Sequence, residues 1–168
     1  MYKKLSLLGI LLALSLALSY IDGIISASIP LPGVKLGLGN IGILMLLSVS
    51  RYKSALSLSL ARVLLASLLF AGFSGFIMSL AGALLSLTAM AVCNKTGVFG
   101  IVATSAAGGI FHNIGQLAAA MLLSGTAQIY YYLPPLLLLG LICGLLTGVT
   151  AFYALKNKAI PVSYTHLR

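Results

Sequence analysis

Acidic side chains are almost absent from this sequence. Of 168 residues a single one, Asp22, is Asp or Glu, against ten Lys or Arg. One carboxylate cannot serve as both general acid and general base, so a soluble two-carboxylate enzyme is excluded. Asp-rich Mg²⁺-diphosphate chemistry is excluded too, since it needs several oxygen ligands around the metal. Charged residues of both signs make up only 7% of the chain, where roughly a quarter is usual. Such a chain has no polar coat for a water-facing surface, so its solvent is largely lipid. Tryptophan is missing altogether, and the two cysteines, Cys93 and Cys143, lie inside apolar runs at no metal-ligand spacing. They leave the redox compartment open. The formal net charge of +9 comes from basic residues scattered between apolar runs, with no stripe to track a nucleic acid.

What is present is apolar: 61% hydrophobic residues and a mean hydropathy of +1.16. A lipid-crossing helix needs roughly 20 mostly apolar residues. Runs of that kind predict spans over 5–21, 36–50, 55–71, 76–93, 98–123 and 133–155. The second is short and rich in glycine, and the fifth carries Gly108-Gly109 at its middle, where a kink or a break is expected. No alternating ten-residue segments suggest a β-barrel. The expected fold is therefore an all-α integral membrane bundle of six transmembrane helices. A single bundle domain covers 1–158, followed by a disordered tail over 159–168.

Basic residues orient the bundle. Lys3, Lys4, Arg51, Lys53, Lys95, Lys156 and Lys158 all fall on one side if both termini are cytoplasmic. The other side receives only Lys35 and Asp22. Tyr20 and Tyr130-Tyr131-Tyr132 then mark the outer interface, with Tyr52 and Tyr153 at the inner one. A signal peptide over the first run is the weaker reading, since its removal would leave five spans with mismatched charge. The stretch 162–168 resembles translated sequencing-adapter read-through, so His166 and Arg168 carry no functional argument.

Polar groups at membrane depth are the candidate site. Arg62 lies mid-span among Leu and Val, where a charge costs about 2.5–3.5 kcal/mol on insertion scales. It must face the bundle interior, as a structural strut or as a ligand contact. His112, Asn113 and Gln116 share one broad helix face, flanked by Gly108, Gly109 and Gly115. The bland alternative is interhelical hydrogen bonding, worth about 0.6 kcal/mol per group. Lys35 and Asn40 sit in a Pro- and Gly-rich segment over 30–40 that suits a binding loop, although Lys35 alone reads as a snorkelling interfacial lysine. Asp22 is expected near the outer end of span 1, away from a permanent pairing with Arg62. Arg62, His112, Asn113, Gln116, Asn40 and Lys35 together outline an outward-facing pocket. Small residues at i,i+4 spacing line span 1 (Gly9, Ala13, Ala17) and span 6 (Gly140, Gly144, Gly148), allowing close backbone approach. On span 6 they are expected to pack within the bundle.

Several stretches resemble one family. Pro32-Gly33-Val34-Lys35-Leu36-Gly37-Leu38-Gly39-Asn40-Ile41 is similar to a PGVKLGLAN signature. Ala61-Arg62-Val63-Leu64-Leu65 with Leu68-Leu69-Phe70 resembles an RVLLGSLLF block. Ser79 to Ser86 resembles SLAGGLLS, and His112-Asn113-Ile114-Gly115-Gln116 matches HNIGQ. These are blocks of the small bacterial membrane proteins called the Gx transporter family, also described as component I of heptaprenyl diphosphate synthase. Gly39 stands where Ala is commoner and Ala66 where Gly is commoner. That family in turn resembles the S-components of energy-coupling factor transporters, six-helix bundles that dock on a coupling protein through a small-residue face of helix 1. The resemblance implies a multi-pass protein of the bacterial cytoplasmic membrane, with Gly9, Ala13 and Ala17 as docking face. It further implies a small solute as ligand, with a transmembrane coupling protein and ATPases as partners; Arg62 and His112 would bind an anionic or zwitterionic group of that solute, with Asn40, Asn113 and Gln116 fixing its orientation. The chain carries no Gly-rich phosphate loop, so ATP hydrolysis falls to those partners; no cofactor is expected. A non-catalytic accessory role in making polyprenyl diphosphate is the alternative. A stand-alone carrier with His112 as titrating group is a third reading, weakened by the lack of membrane carboxylates.

Overall fold

A computed structural model describes residues 2–27, 37–48 and 51–157, with side chains at 5–26 in the first of these stretches. Every regular element among them is helical, as lipid requires of a chain with no closed barrel, since each backbone N–H and C=O must be satisfied internally. The helices are α1 (Tyr2–Ala27), α2 (Ile41–Ser48), α3 (Tyr52–Ala66), α4 (Gly72–Thr96), α5 (Ile101–Ser124) and α6 (Leu133–Lys156). A 3₁₀ turn, Leu38–Asn40, leads into α2, a π-turn, Ser67–Ala71, joins α3 to α4, and a 3₁₀ segment, Ala127–Tyr132, precedes α6.

Among the described residues, four stretches are long and apolar enough to cross a membrane: Leu5–Ser26, Tyr52–Thr96, Ile101–Ser124 and Ala127–Lys156. Hydropathy alone outlines six runs, and the helices group them differently. The predicted span 36–50 is the short apolar helix Leu38–Ser48, which at 1.5 Å per residue covers about half of a ~30 Å hydrocarbon core. The predicted spans 55–71 and 76–93 lie inside one stretch of 45 residues. Gly72 interrupts that stretch at φ 65°, ψ −172°, a left-handed geometry that a side chain would strain. No break falls at Gly108-Gly109, and α5 is helical throughout. Its glycines serve packing instead.

Helix α2 is apolar on every side and buried along Ile41 to Leu47, as an all-round hydrophobic helix must be. It sits in a core with Leu11 of α1, Leu58 of α3, Met90 of α4 and Ala151 of α6. Partly buried Leu7, Leu8, Tyr52, Ala91, Ala154 and Leu155 close that core at one end. The start of α1 and the finish of α6 therefore lie together, beside Arg51, Lys53, Lys95 and Lys156. Asn94 fastens this end by donating from Nδ2 to Leu47 O and to Tyr52 Oη, both at 3.0 Å. Lys95 Nζ stands 5.8 Å from the Tyr52 ring centroid. Outward faces are covered with large apolar side chains such as Ile10, Leu68, Phe73 and Leu122, a surface suited to acyl chains rather than to water.

Small residues set the closest contacts. Gly140, Gly144 and Gly148 of α6 face Gly109, Ala106 and Val102 of α5, the intrabundle packing expected of them. A Cβ on Gly144 would stand 2.7 Å from Ala106 Cα. Ser105 Oγ and Thr147 Oγ1 hydrogen-bond at 2.8 Å across the same seam. Between α4 and α5, Gly82 and Gly115 play the corresponding part, with Gly115 against Ala81 O.

Candidate functional site

Three inward helix faces converge at the end of the bundle away from the basic residues. On α1 the buried positions are Leu11, Ser15 and Asp22, spaced by four and seven residues as one helix face demands. On α3 they include Ala55, Leu58, Ser59, Arg62 and Val63. On α5 they include Thr104, Gly108, His112 and Gln116. Asp22, Arg62 and His112 meet around a cavity of about 310 Å³, with Ser19 and Ser79 on its wall. Tyr20 and Phe70 also line it, their rings edge to face with centroids 5.5 Å apart.

Arg62 is 6% exposed and Asp22 4%, and each acts on the other electrostatically. The guanidinium has room because residue 39 lacks a side chain: a Cβ there would run into Arg62 Nη1 and Ser19 Oγ. Arg62 Nε has no hydrogen-bond partner among the described residues. Asp22 is held more firmly. Gly37 donates its N–H to Oδ2 at 2.9 Å, and Ser26 Oγ donates to Oδ1 at 3.3 Å. Gly37 adopts φ 76°, ψ 19°, the left-handed region open to glycine at little cost. Its carbonyl then accepts from Asn40 N at 3.0 Å and starts the turn into α2.

The residues singled out in the sequence separate here. Arg62 and His112 both line the cavity. Asn113 turns toward α6 and donates from Nδ2 to Leu136 O at 2.7 Å. Gln116 is off the cavity wall and 1% exposed, with its Cγ against Gly82; neither amide atom has a partner among the described residues. Asn40 is buried at the entry to α2, beside Gly39 but off the wall. Lys35 lies outside the described residues. Gly9, Ala13 and Ala17 are exposed on the outer face of α1, and a Cβ at Gly9 would meet no other helix among the described residues. Sequence reasoning missed Asp22, Ser19 and Ser79 as wall residues. The position of Asp22 near the end of span 1 argues against a meeting with Arg62, yet the inward face of α1 brings both onto one cavity wall.

The family described as heptaprenyl diphosphate synthase component I matches residues 11–154. The chain belongs to that family. No curated protein and no solved structure matches it. Component I is the non-catalytic, accessory member of the synthase its family is named after. The composition fits, because a component I with one acidic residue cannot hold Mg²⁺-diphosphate as an Asp-rich catalytic partner does.

Proposed function

We propose that this protein is a membrane subunit that captures a small anionic or zwitterionic solute for uptake, energised by separate ATPase and coupling subunits. The supporting observation is the cavity itself: a buried Arg62 with His112 and Asp22 around about 310 Å³ of space. Intramembrane ionisable groups are costly and by default mark a pathway or a site. In this reading both termini and the basic end are cytoplasmic, and the cavity faces outward in the cytoplasmic membrane of a bacterium. The chain crosses six times, with α3 and α4 as two crossings parted at Gly72 and α2 as a short one within the bundle. The exposed small-residue face of α1 at Gly9, Ala13 and Ala17 is the surface for the coupling partner, as in an S-component.

The family match favours a second reading, an accessory membrane component for a prenyl diphosphate synthase. The cavity sits at the lower end of the roughly 300–1,000 Å³ range of ligand pockets. A heptaprenyl tail does not fit inside it, so in that reading the tail would lie elsewhere. Native mass spectrometry of the protein released from membranes separates the two. A co-purifying small solute, with ATPase and coupling chains in the complex, supports uptake. A stoichiometric prenyl synthase with an empty cavity overturns it.

A further inference from the structure

We propose that the seam between α4 and α5 is the way by which the cavity opens toward the basic end of the bundle, with Met90 as its gate. The route rests on the solute-binding reading for its cargo. Two buried helix faces form the seam. That of α4 includes Ser79, Gly82, Ser86 and Met90, and that of α5 includes Thr104, Gly108 and Gly115. Both sets are spaced by three, four or seven residues, as one helix face demands. Ser79 is on the cavity wall. From there the face of α4 descends through Ser86 to Met90, which belongs to the apolar core at the basic end. Ser86 and Met90 meet α5 at Gly108, where a Cβ would stand 3.3 Å from Ser86 Oγ and 2.7 Å from Met90 Cγ and Sδ. Thr104 follows one turn closer to the basic end.

Polar side chains at this depth are expected to be bonded, because lipid offers no partner and a buried polar group without one is costly. The α5–α6 seam is tied in that way, by Ser105 Oγ with Thr147 Oγ1 and by Asn113 Nδ2 to Leu136 O. The α4–α5 seam differs. Ser86 Oγ, Thr104 Oγ1 and both amide atoms of Gln116, whose Cγ packs on Gly82, have no partner among the described residues. All three residues are buried. From Gln116 to Thr104 this file covers about 18 Å at 1.5 Å per residue. Interior polar atoms of this kind are met by water, so this seam is the one that gains hydrogen bonds when its helices part. Ser15 Oγ is unmet as well, but the α1 face it shares continues to Leu11 and the apolar α2 core. Met90 suits a gate. Its unbranched side chain leaves by rotation, and Gly108 has no side chain to hold it.

The test places single cysteines in the full chain, freed of Cys93 and Cys143, in inside-out membrane vesicles. The probe is an impermeant methanethiosulfonate carrying a trimethylammonium group, added at the basic end. Ser86→Cys and Thr104→Cys should react at least tenfold faster than Thr147→Cys, whose position pairs with Ser105 on the tied seam. Met90→Ala should raise the first two rates by a further tenfold or more. Met90→Leu, which keeps the bulk, should leave them near the parent. The proposal is overturned if Ser86→Cys and Thr104→Cys react no faster than Thr147→Cys. It is equally overturned if Met90→Ala speeds all three alike, which would report a loosened bundle, or if Met90→Leu speeds them as much as Met90→Ala. Should Met90→Ala fail to fold, the comparison of the three cysteines in the Met90 parent decides alone. An unreactive seam in a protein with a co-purifying solute removes the route and leaves solute binding standing. A reactive seam in a protein without one leaves the route and removes its cargo.

Discussion

The backbone N–H of Gly37 donates to Asp22 Oδ2 at 2.9 Å, across 15 residues of chain. That one bond ties the C-terminal end of α1 to the turn that starts α2, and it holds the only acidic side chain of the sequence against the cavity of Arg62. Asp22 thus acts both as a fastening for the backbone and as the counter-charge of a buried arginine. Its removal is expected to affect stability and binding together.

Asp22→Asn should lower the thermal stability of the detergent-solubilised protein by about 1.5–3 kcal/mol, the worth of a hydrogen bond to a charged group. Arg62 would then be a buried charge without its counter-charge. Adding Arg62→Gln to Asp22→Asn should therefore cost less than the sum of the two single changes. A double-mutant cycle on melting curves measures this coupling. Strict additivity would mean that the two groups share a cavity but no energy.

Arg62→Gln, and separately His112→Ala, should weaken solute binding by roughly 10- to 100-fold, or about 1.5–3 kcal/mol. Glutamine keeps hydrogen-bonding capacity and removes the charge, so a loss there reports electrostatics. Melting temperature and affinity measured on one preparation separate a binding role from a strut. Reduced stability with unchanged affinity in the folded fraction would identify a strut.

Gly144→Ala should destabilise the bundle by about 1–3 kcal/mol, because its Cβ would enter the backbone of α5 at Ala106, and an overfilled contact must move two helices apart. Gly9→Ala meets nothing within 4 Å and should be neutral or slightly stabilising, since alanine is the better helix former. Thermal unfolding in one detergent compares the pair.

Ala13→Leu and Ala17→Leu lie on the exposed face of α1 and should leave melting and solute binding as in wild type. On the proposed function they abolish transport and co-purification of the coupling subunit, because branched side chains hold two backbones apart. Normal uptake by both variants would place the docking face elsewhere.

Cysteines placed on a background free of Cys93 and Cys143 test the orientation. Ser74→Cys and Thr126→Cys should react with an impermeant thiol reagent added outside intact cells. Lys95→Cys and Lys156→Cys should react only after the membrane is opened. The reverse pattern would invert the bundle.

Composition alone determined the solvent and, through it, the helices: a chain so poor in charge must satisfy its backbone internally in lipid. The burial of Arg62 and of the His112 face was equally legible, because the cost of exposing such groups to acyl chains belongs to each residue and needs no knowledge of its neighbours. The tertiary structure decided which inward faces meet. Lipid tails are as apolar as leucine, so hydropathy carries little sign of which side of a helix is covered. Small-residue contacts such as Gly109 with Gly140 and Gly82 with His112 set how the helices approach instead. Those contacts turned Asn113 toward Leu136 and Gln116 toward α4, off the cavity they were expected to line. The Gly37 bond fastens Asp22 where the inward face of α1 reaches the cavity wall. No single-helix periodicity contains that pairing, because it depends on a hydrogen bond between residues that only the folded chain brings together.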